Sequence, residues 1–490
     1  MTSNGQNNQV AKDGGVSQIK NARVVIAWDE SASRHVYLSN QDVVFSPEGI
    51  IQIGGSYTGP CDSVIDGRQF MVMPGLVNIH SHPAAEPINK GLWDEVGGKK
   101  LYNSTLYEYL FLLEPDADAA RAARQVAVAE LLKSGVTTFC DMSPPEDGWV
   151  NQLAQSGIRA VVAPMFRSAT WSTRNGRTVD YTFDEPLGRE NFARALAVID
   201  EARKHPSARI GGMVAPSQID TCSESLLRDA YQAAEHQNLP FQIHAGQSIV
   251  EFLEITRRHG MTPIEYMKNI GILGPRTTVG HGIFLDHHPW VRWPRTDDLG
   301  MLAEAGASVA HCPVTFARRG IALQQFGKYR QRGVNIGIGT DTYPHNMLEE
   351  MRLATYIARV IEGNPHDTTT EEVFLAATIG GARVLLRDDI GRLAVGCKSD
   401  LVLVDCSHPG MQPCYDPLRS LIYSASERAV SHVFVDGHQL VRDGEVLTID
   451  HRSAARAVED AQKRAVQGID RRDWAGRKLS ELSPPTLSWR

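Results

Sequence analysis

Long apolar runs are missing from this 490-residue sequence. None approaches the roughly 20 residues that a membrane helix needs, and the opening stretch MTSNGQNNQVAKDGG lacks the apolar centre of a secretory signal. Cysteine is scarce: Cys61, Cys140, Cys222, Cys312, Cys397, Cys406 and Cys414 are odd in number, widely spaced and form no C-x-x-C pair. That pattern excludes a disulfide scaffold and a cysteine-rich zinc module, and it makes a reducing cytoplasm the expected location. Basic excess is also absent, with 50 Lys and Arg against 57 Asp and Glu and a net charge of -7. Without a positive field, neither nucleic acid nor an anionic membrane is an expected partner.

What is present is ordinary globular composition, 42% hydrophobic and 22% charged. Residues 1–17 are rich in Gly, Asn and Gln and read as a disordered tail. From 18 to 72 short β-like runs (ARVVIAW, DVVFS, IIQIGG, QFMVM) are separated by turn residues. Between 73 and 395 the pattern changes. GLVNIHSH, VTTFCDM, IRAVVAPMF, ARIGGMVAPS, PFQIHAG, TTVGHGIF, ASVAHCPV and VNIGIGTD read as buried strands alternating with amphipathic helical stretches. An α/β chain of eight such units closes as a (β/α)8 TIM barrel, with its chemistry at the strand C-termini. β-like runs return in SDLVLVD and SHVFVDGHQLVRDG. Segments 18–72 and 396–447 are therefore expected to form one small β-sandwich domain built from both ends of the chain. Residues 448–490 are expected to form a helical tail.

Several of these runs end in residues able to bind metal. His80 and His82 stand two apart in a strand, so both imidazoles face one side. His244, His281 and His311 each lie at or near the end of a different strand, and Asp341 ends GIGTD. A carboxylate at such a mouth is costly to bury unless it is paired or metal-bound. Imidazoles and a carboxylate with an open position suit one catalytic divalent ion, zinc first, with iron, cobalt or manganese compatible.

The set PGLVNIHSH, QIHAG, VGHG, HCPV and GTDTYPHNMLEEMR, with GRLAVGCKSDLVLVD and VSHVFVDGHQLVRDGEV after it, resembles the amidohydrolase superfamily. The resemblance is to the branch of cytosine deaminases and triazine hydrolases, near the phenylurea and thiocarbamate hydrolases, and it covers about 18 to 447. It implies that His80, His82, His244 and Asp341 bind the metal, and that His281 hydrogen-bonds the attacking water or the substrate. It also implies a homo-oligomer, dimer or tetramer.

Two departures from the family pattern narrow the chemistry. Binuclear members carry a bridging lysine at the end of the fourth strand; here VAPSQIDTCS has none, so one metal is expected, with Ser217 and Gln218 at the substrate. The usual His-x-x-Glu of the fifth strand reads His244-Ala245-Gly246-Gln247. Glutamine forms hydrogen bonds but does not relay protons as a carboxyl does. Asp341 is left as the proton carrier, with His281 and Gln247 as further catalytic groups. The expected reaction is hydrolysis of an amide, urea or carbamate C–N bond in a small, aromatic or heterocyclic compound. The alternative is deamination or dechlorination of an N-heterocycle with an altered shuttle. Trp93, Phe166, Trp171 and His345, in segments that follow strands, are the expected pocket wall. His311 and Cys312 are expected to pack behind the site, and His287 and His288 to be solvated.

Overall fold

The computed structural model describes residues 15–490 except 114, 295 and 325. The expected tail thus falls almost wholly outside the described residues, and its last residue, Ser17, already begins a strand. Strands β1 (Ser17–Asp29), β2 (Arg34–Ser46), β3 (Gly49–Ile53), β4 (Ser63–Asp66) and β5 (Phe70–Pro74) occupy the first turn-rich segment. Next come β6 (Leu76–Asn78), β7 (Val136–Asp141), β8 (Arg159–Val162), β9 (Met165–Phe166), β10 (Ala169–Ser172) and β11 (Asp180–Phe183). The series continues with β12 (Ile210–Gly212), β13 (Ala215–Pro216), β14 (Phe241–Ala245), β15 (Thr277–His281), β16 (Ser308–His311) and β17 (Asn335–Ile338). The last four are β18 (Leu401–Asp405), β19 (Val430–Val435), β20 (His438–Arg442) and β21 (Glu445–Val446).

The middle strands are short and buried almost throughout, as parallel strands covered on both faces must be. They form two four-stranded parallel arcs, β12-β8-β7-β6 and β14-β15-β16-β17. Their ends meet through parallel bridges, Val214 with Phe241 and Gln218 with His244 on one side, Ser81 with Asp341 on the other. Helices fill the connections, and their starts are written in the sequence. Asp116, Asp184, Ser223, Ser248, Thr262, Asp297 and Asn346 each cap the helix that follows by accepting a backbone N–H.

The outer strands of the expected sandwich share one hydrogen-bonded ladder, and Phe45 of β2 and Phe434 of β19, which lie far apart along it, still meet ring to ring at 5.2 Å. The strands make one nine-stranded sheet, β21-β20-β19-β18-β5-β1-β2-β3, with β4 on β1. The reason is β5, which pairs parallel with β1 and antiparallel with β18, so strands from both ends of the chain share one ladder. A register shift between Ile19 and Ala22 of β1 gives its first residues to β4 instead. Helix His451–Ala465 packs Ala454 and Val458 against Ala122, Ala123 and Val126 of helix Ala117–Lys133. Among the described residues no helix is long and apolar enough to cross a membrane.

Sheet and arcs are joined by a buried ionic contact. Arg159, opening β8, meets Asp400 at 3.0 Å and Asp436 at 2.5 Å. The backbone N–H of Gly75, between β5 and β6, donates to the Asp400 carbonyl. Removing one member of a buried pair strands its partner's charge. Arg159→Leu is expected to destabilise the fold by about 3–5 kcal/mol, read as a lowered urea midpoint with the slope unchanged; a midpoint within error of wild type would contradict this role.

Candidate active site

The site is built where the two arcs close. Beyond β6 the chain carries His80, Ser81 and His82; beyond β17 it carries Thr340 and Asp341. Asp341 takes φ +56°, a left-handed conformation that aspartate tolerates better than most residues. Its N–H donates to the His80 carbonyl at 2.8 Å, and its own carbonyl accepts from the His82 N–H at 2.9 Å. Asn78 tightens this closure. Its Oδ1 accepts from the backbone of His80 and of Thr340, and its Nδ2 donates to Thr340 Oγ1 at 2.8 Å. The two candidate ligand segments are therefore held by each other before any ligand binds.

Each imidazole is oriented from behind. The Nδ1 of His80 meets Gln242 Oε1 at 2.5 Å, that of His82 the Met142 carbonyl at 2.7 Å, and that of His244 the Ser217 carbonyl at 2.5 Å. Gln242 is itself fixed, because its Nε2 donates to the Ile79 carbonyl. Carbonyl oxygens only accept, so the proton of each ring sits on Nδ1 and the Nε2 lone pairs point inward. There they converge: His82 Nε2 lies 3.4 Å from His244 Nε2 and 3.3 Å from Asp341 Oδ1, and His80 Nε2 lies 3.5 Å from the same oxygen. His80 Nε2 is buried without a hydrogen-bond partner. His281 Nε2 stands 3.9 Å from Asp341 Oδ2, and its Nδ1 is likewise unpartnered.

These lone pairs and a carboxylate fit a divalent cation. His80, His244 and His281 place ligand atoms within 4.8 Å of one another, as do His80, His82 and Asp341. Burial, reinforced by the neighbouring imidazoles, holds the His244 pKa well below its ordinary value, and burial brings that of His281 down to about 3. Both rings are therefore neutral at neutral pH, the state a metal requires. Asp341 is buried, which alone would favour its protonated form, yet His281, His80 and His82 hold its carboxyl well below the usual range. Burial opposes protonation of His82 too, but Asp341 outweighs it and raises that pKa.

A cavity of about 220 Å³ opens over these residues. His82, His244, His281, Asp341, Gln218 and Gln247 reach it, while Leu106, Leu110, Met142, Met165, Phe316 and Ile321 supply an apolar wall. Gln247 Nε2 makes no hydrogen bond of ordinary length, its side chain lies near enough to Glu251 to favour that carboxylate, and the Gln247 backbone N–H donates to it. Other expected pocket residues go elsewhere. Trp93 packs on Tyr109 in a separate apolar cluster, Phe166 lies in the main core beside Phe192, and Trp171 packs on Tyr107 and donates to Asp220. Ser217 contributes its backbone carbonyl rather than its hydroxyl. His345 is fully buried; its N–H donates to Glu130, tying the loop after Asp341 to helix Ala117–Lys133. His311 is buried against Phe326 and Cys312 is buried beside it; neither lines the cavity. His288 is not solvated but buried against Phe284.

Sequence reasoning passed over Glu86, Thr105, Thr315 and Arg319, all at the cavity. Glu86 follows His82 by four residues in a turn of 3-10 helix, Glu86–Asn89, and that proximity is the signal that could have found it. Burial, and then the Asp341 carboxylate, raise its pKa.

Residues 71–440 match the amidohydrolase family. The 5'-deoxyadenosine deaminase of Methanothermobacter thermautotrophicus is 30% identical over 407 residues, covering 82% of this chain and 89% of that protein. The 5-methylthioadenosine/S-adenosylhomocysteine deaminase of Halobacterium salinarum is 29% identical over 436 residues, covering 87% and 93%. Among solved structures, an adenosine deaminase from Xanthomonas campestris with bound zinc superposes with a TM-score of 0.79 at 23% identity, covering 92% of this chain and 98% of the other. A triazine hydrolase from Arthrobacter aurescens gives 0.77 at 21% identity, covering 91% and 99%. The chain belongs to the amidohydrolase family, as its strand-end motifs imply, and is an enzyme acting on non-peptide C–N bonds.

Groups that orient metal-binding histidines typically change metal affinity by about 10–100-fold when removed. Gln242→Leu is expected to weaken zinc binding by about that factor while the circular dichroism spectrum is retained. Unchanged affinity in a zinc-chelator competition would show that the Gln242–His80 contact does not orient the ring.

Proposed function

We propose that this enzyme hydrolyses an amide, urea or carbamate C–N bond of a small aromatic or heterocyclic compound. The observation that carries this reading is Gln247, an amide rather than a carboxylate at the cavity, whose Nε2 makes no hydrogen bond of ordinary length. It lies two residues beyond Ala245, which pairs in register with His281. An amide N–H there suits a carbonyl oxygen that gains charge as the carbon becomes tetrahedral.

His80, His82, His244 and Asp341 would hold one divalent ion, zinc first, with iron, cobalt or manganese compatible. When bound, such an ion supplies Lewis-acid polarisation and acidifies the attacking water. Asp341 takes the proton from that water and returns it to the leaving nitrogen. His281 and Gln247 donate hydrogen bonds to the developing oxyanion, and Gln218 orients the substrate from the opposite arc. The apolar wall excludes water and receives the body of the substrate.

A second reading is favoured by the relatives. Two are deaminases of adenine nucleosides, and deamination of an N-heterocycle uses the same metal and attacking water. It needs a proton donor for the ring nitrogen, which Gln247 does not provide. Dechlorination belongs to the same alternative.

Three further readings accompany the function. The two bridged arcs are read as one (β/α)8 barrel over 73–395, flanked by a small β domain from 18–72 plus 396–447 and the tail 448–490. The seven free cysteines support a reducing cytoplasm. Family habit supports a dimer or tetramer.

Product analysis separates the two chemistries. Release of an aniline or alkylamine from phenylureas or anilides is expected; ammonia from aminated heterocycles alone would replace the first reading with the second. Asp341→Asn is expected to lower turnover by at least about 10²-fold, within the range general acid–base groups supply; near wild-type turnover would remove Asp341 from the proton path. Gln247→Glu is expected to lower urea or amide hydrolysis and to create measurable ammonia release. A variant indistinguishable from wild type on both substrates would assign Gln247 to packing.

A further inference from the structure

We propose that Glu86 is a substrate-binding carboxylate that accepts a hydrogen bond from an N–H group beside the scissile carbon, and so selects substrates bearing that N–H. This rests on the reading of the site as a C–N hydrolase and adds a recognition element to it.

Glu86 is, first, more buried than it is bonded. Glu86 lines the catalytic cavity and is only 8% exposed. A carboxylate buried to that degree normally finds a cation or several donors. Asp141 shows the ordinary solution in the same fold: it accepts from Arg124 Nε at 2.9 Å, Trp149 Nε1 at 2.7 Å and the Ser143 hydroxyl. Glu86 has a single long hydrogen bond, from Asn89 Nδ2 at 3.3 Å, and among the described residues it forms no direct ion pair, His82 and Arg319 acting on its charge only from a distance. The nearby cation at the cavity is otherwise engaged. Arg319 donates through Nε to Thr105 Oγ1 at 3.0 Å and through Nη1 to the Thr315 carbonyl.

Position supplies the second half. The Glu86 N–H donates to the His82 carbonyl, which fixes the residue one turn past the candidate metal ligands. Its carboxylate is therefore anchored at its own backbone and short of donors at the cavity. The polar groups of the cavity then divide by sign. Gln247 offers a donor suited to a carbonyl, and Glu86 offers an acceptor suited to N–H. A urea, an anilide or an exocyclic amine presents both, whereas an ester or a fully N-alkylated amide lacks the N–H. A site that hydrogen-bonds a polar group discriminates strongly against the analogue without it, because its own buried group is then left unpartnered.

The test uses zinc-loaded full-length protein and two probe pairs: phenylurea against its fully N-methylated form, and adenine against N6,N6-dimethyladenine, with dissociation constants from calorimetry. Wild type is expected to bind the N–H member of at least one pair about tenfold more tightly. Glu86→Leu is expected to bring that ratio near one with one zinc per chain retained. Glu86→Gln, which keeps an acceptor oxygen, is expected to fall between. A preference that persists in Glu86→Leu, or no preference in wild type, overturns the proposal. Should Glu86→Leu fail to fold or to hold zinc, Glu86→Gln decides, with a ratio unchanged from wild type overturning it. Binding of neither pair by wild type overturns the hydrolase reading itself, an outcome distinct from a preference that ignores Glu86.

Discussion

Inward-facing lone pairs crowd the centre of this molecule. His82 and His244 hold their Nε2 atoms 3.4 Å apart, each ring's proton being committed to a carbonyl behind it. His80 adds an orphan Nε2, and Asp341 adds a carboxylate kept ionised by its surroundings. In a low-dielectric interior such an array is repulsive and under-bonded unless a cation shares it. The rest of the structure reads as the means of keeping the array in place. Asn78 clasps β6 to the segment after β17, Gln242 aims His80, and Glu130 holds the loop beyond Asp341 through His345. Binding energy from a metal is then spent on no rearrangement, because closure of the arcs has already brought the ligands together.

That dependence explains which parts of the site were legible. His80 and His82 could be read because a spacing of two in a strand has one geometric meaning. His244, His281, His311 and Asp341 could be read as candidates because strand ends that break into loops mark a single face, and the family resemblance selected among them. The orienting contacts were invisible, since Gln242 and Asn78 are ordinary polar residues inside apolar strands and nothing local says whom they meet. The substrate wall misled for a different reason. Trp93, Phe166 and Trp171 carry large apolar area, and burying it in packed clusters competes with leaving it at a polar cavity. Packing won in all three, and smaller residues such as Met142, Leu106 and Ile321 form the wall instead.

The same distinction holds for the fold. Alternating runs and helix caps located the elements, because periodicity and capping are local properties. Pairing is not local. The strands at both ends of the chain are expected to stack as a sandwich, and β5, hydrogen-bonded to β1 on one side and β18 on the other, also joins them in one continuous ladder. Nothing in FMVMP distinguishes a strand with two neighbours from one facing a second layer. Arg159 is a similar case: a cation at the start of an apolar strand is explained only when Asp400, 241 residues away, arrives beside it.

The glutamine at 247 also acquires a physical reason from its surroundings. Behind it, Glu251 accepts the N–H groups of Gly246 and Gln247 and fixes the loop that carries the amide into the cavity. Glu251 is itself buried, and burial together with the Asp220 carboxylate pushes its pKa well up. A glutamate at 247 would bring a further negative charge against this pair, where desolvation already disfavours ionisation. A neutral amide keeps the shape and a hydrogen-bonding edge without that repulsion. The acid behind the loop and the amide in front of it are thus compatible choices, and together they fit the proposed role of Asp341 as the carboxylate that carries the proton.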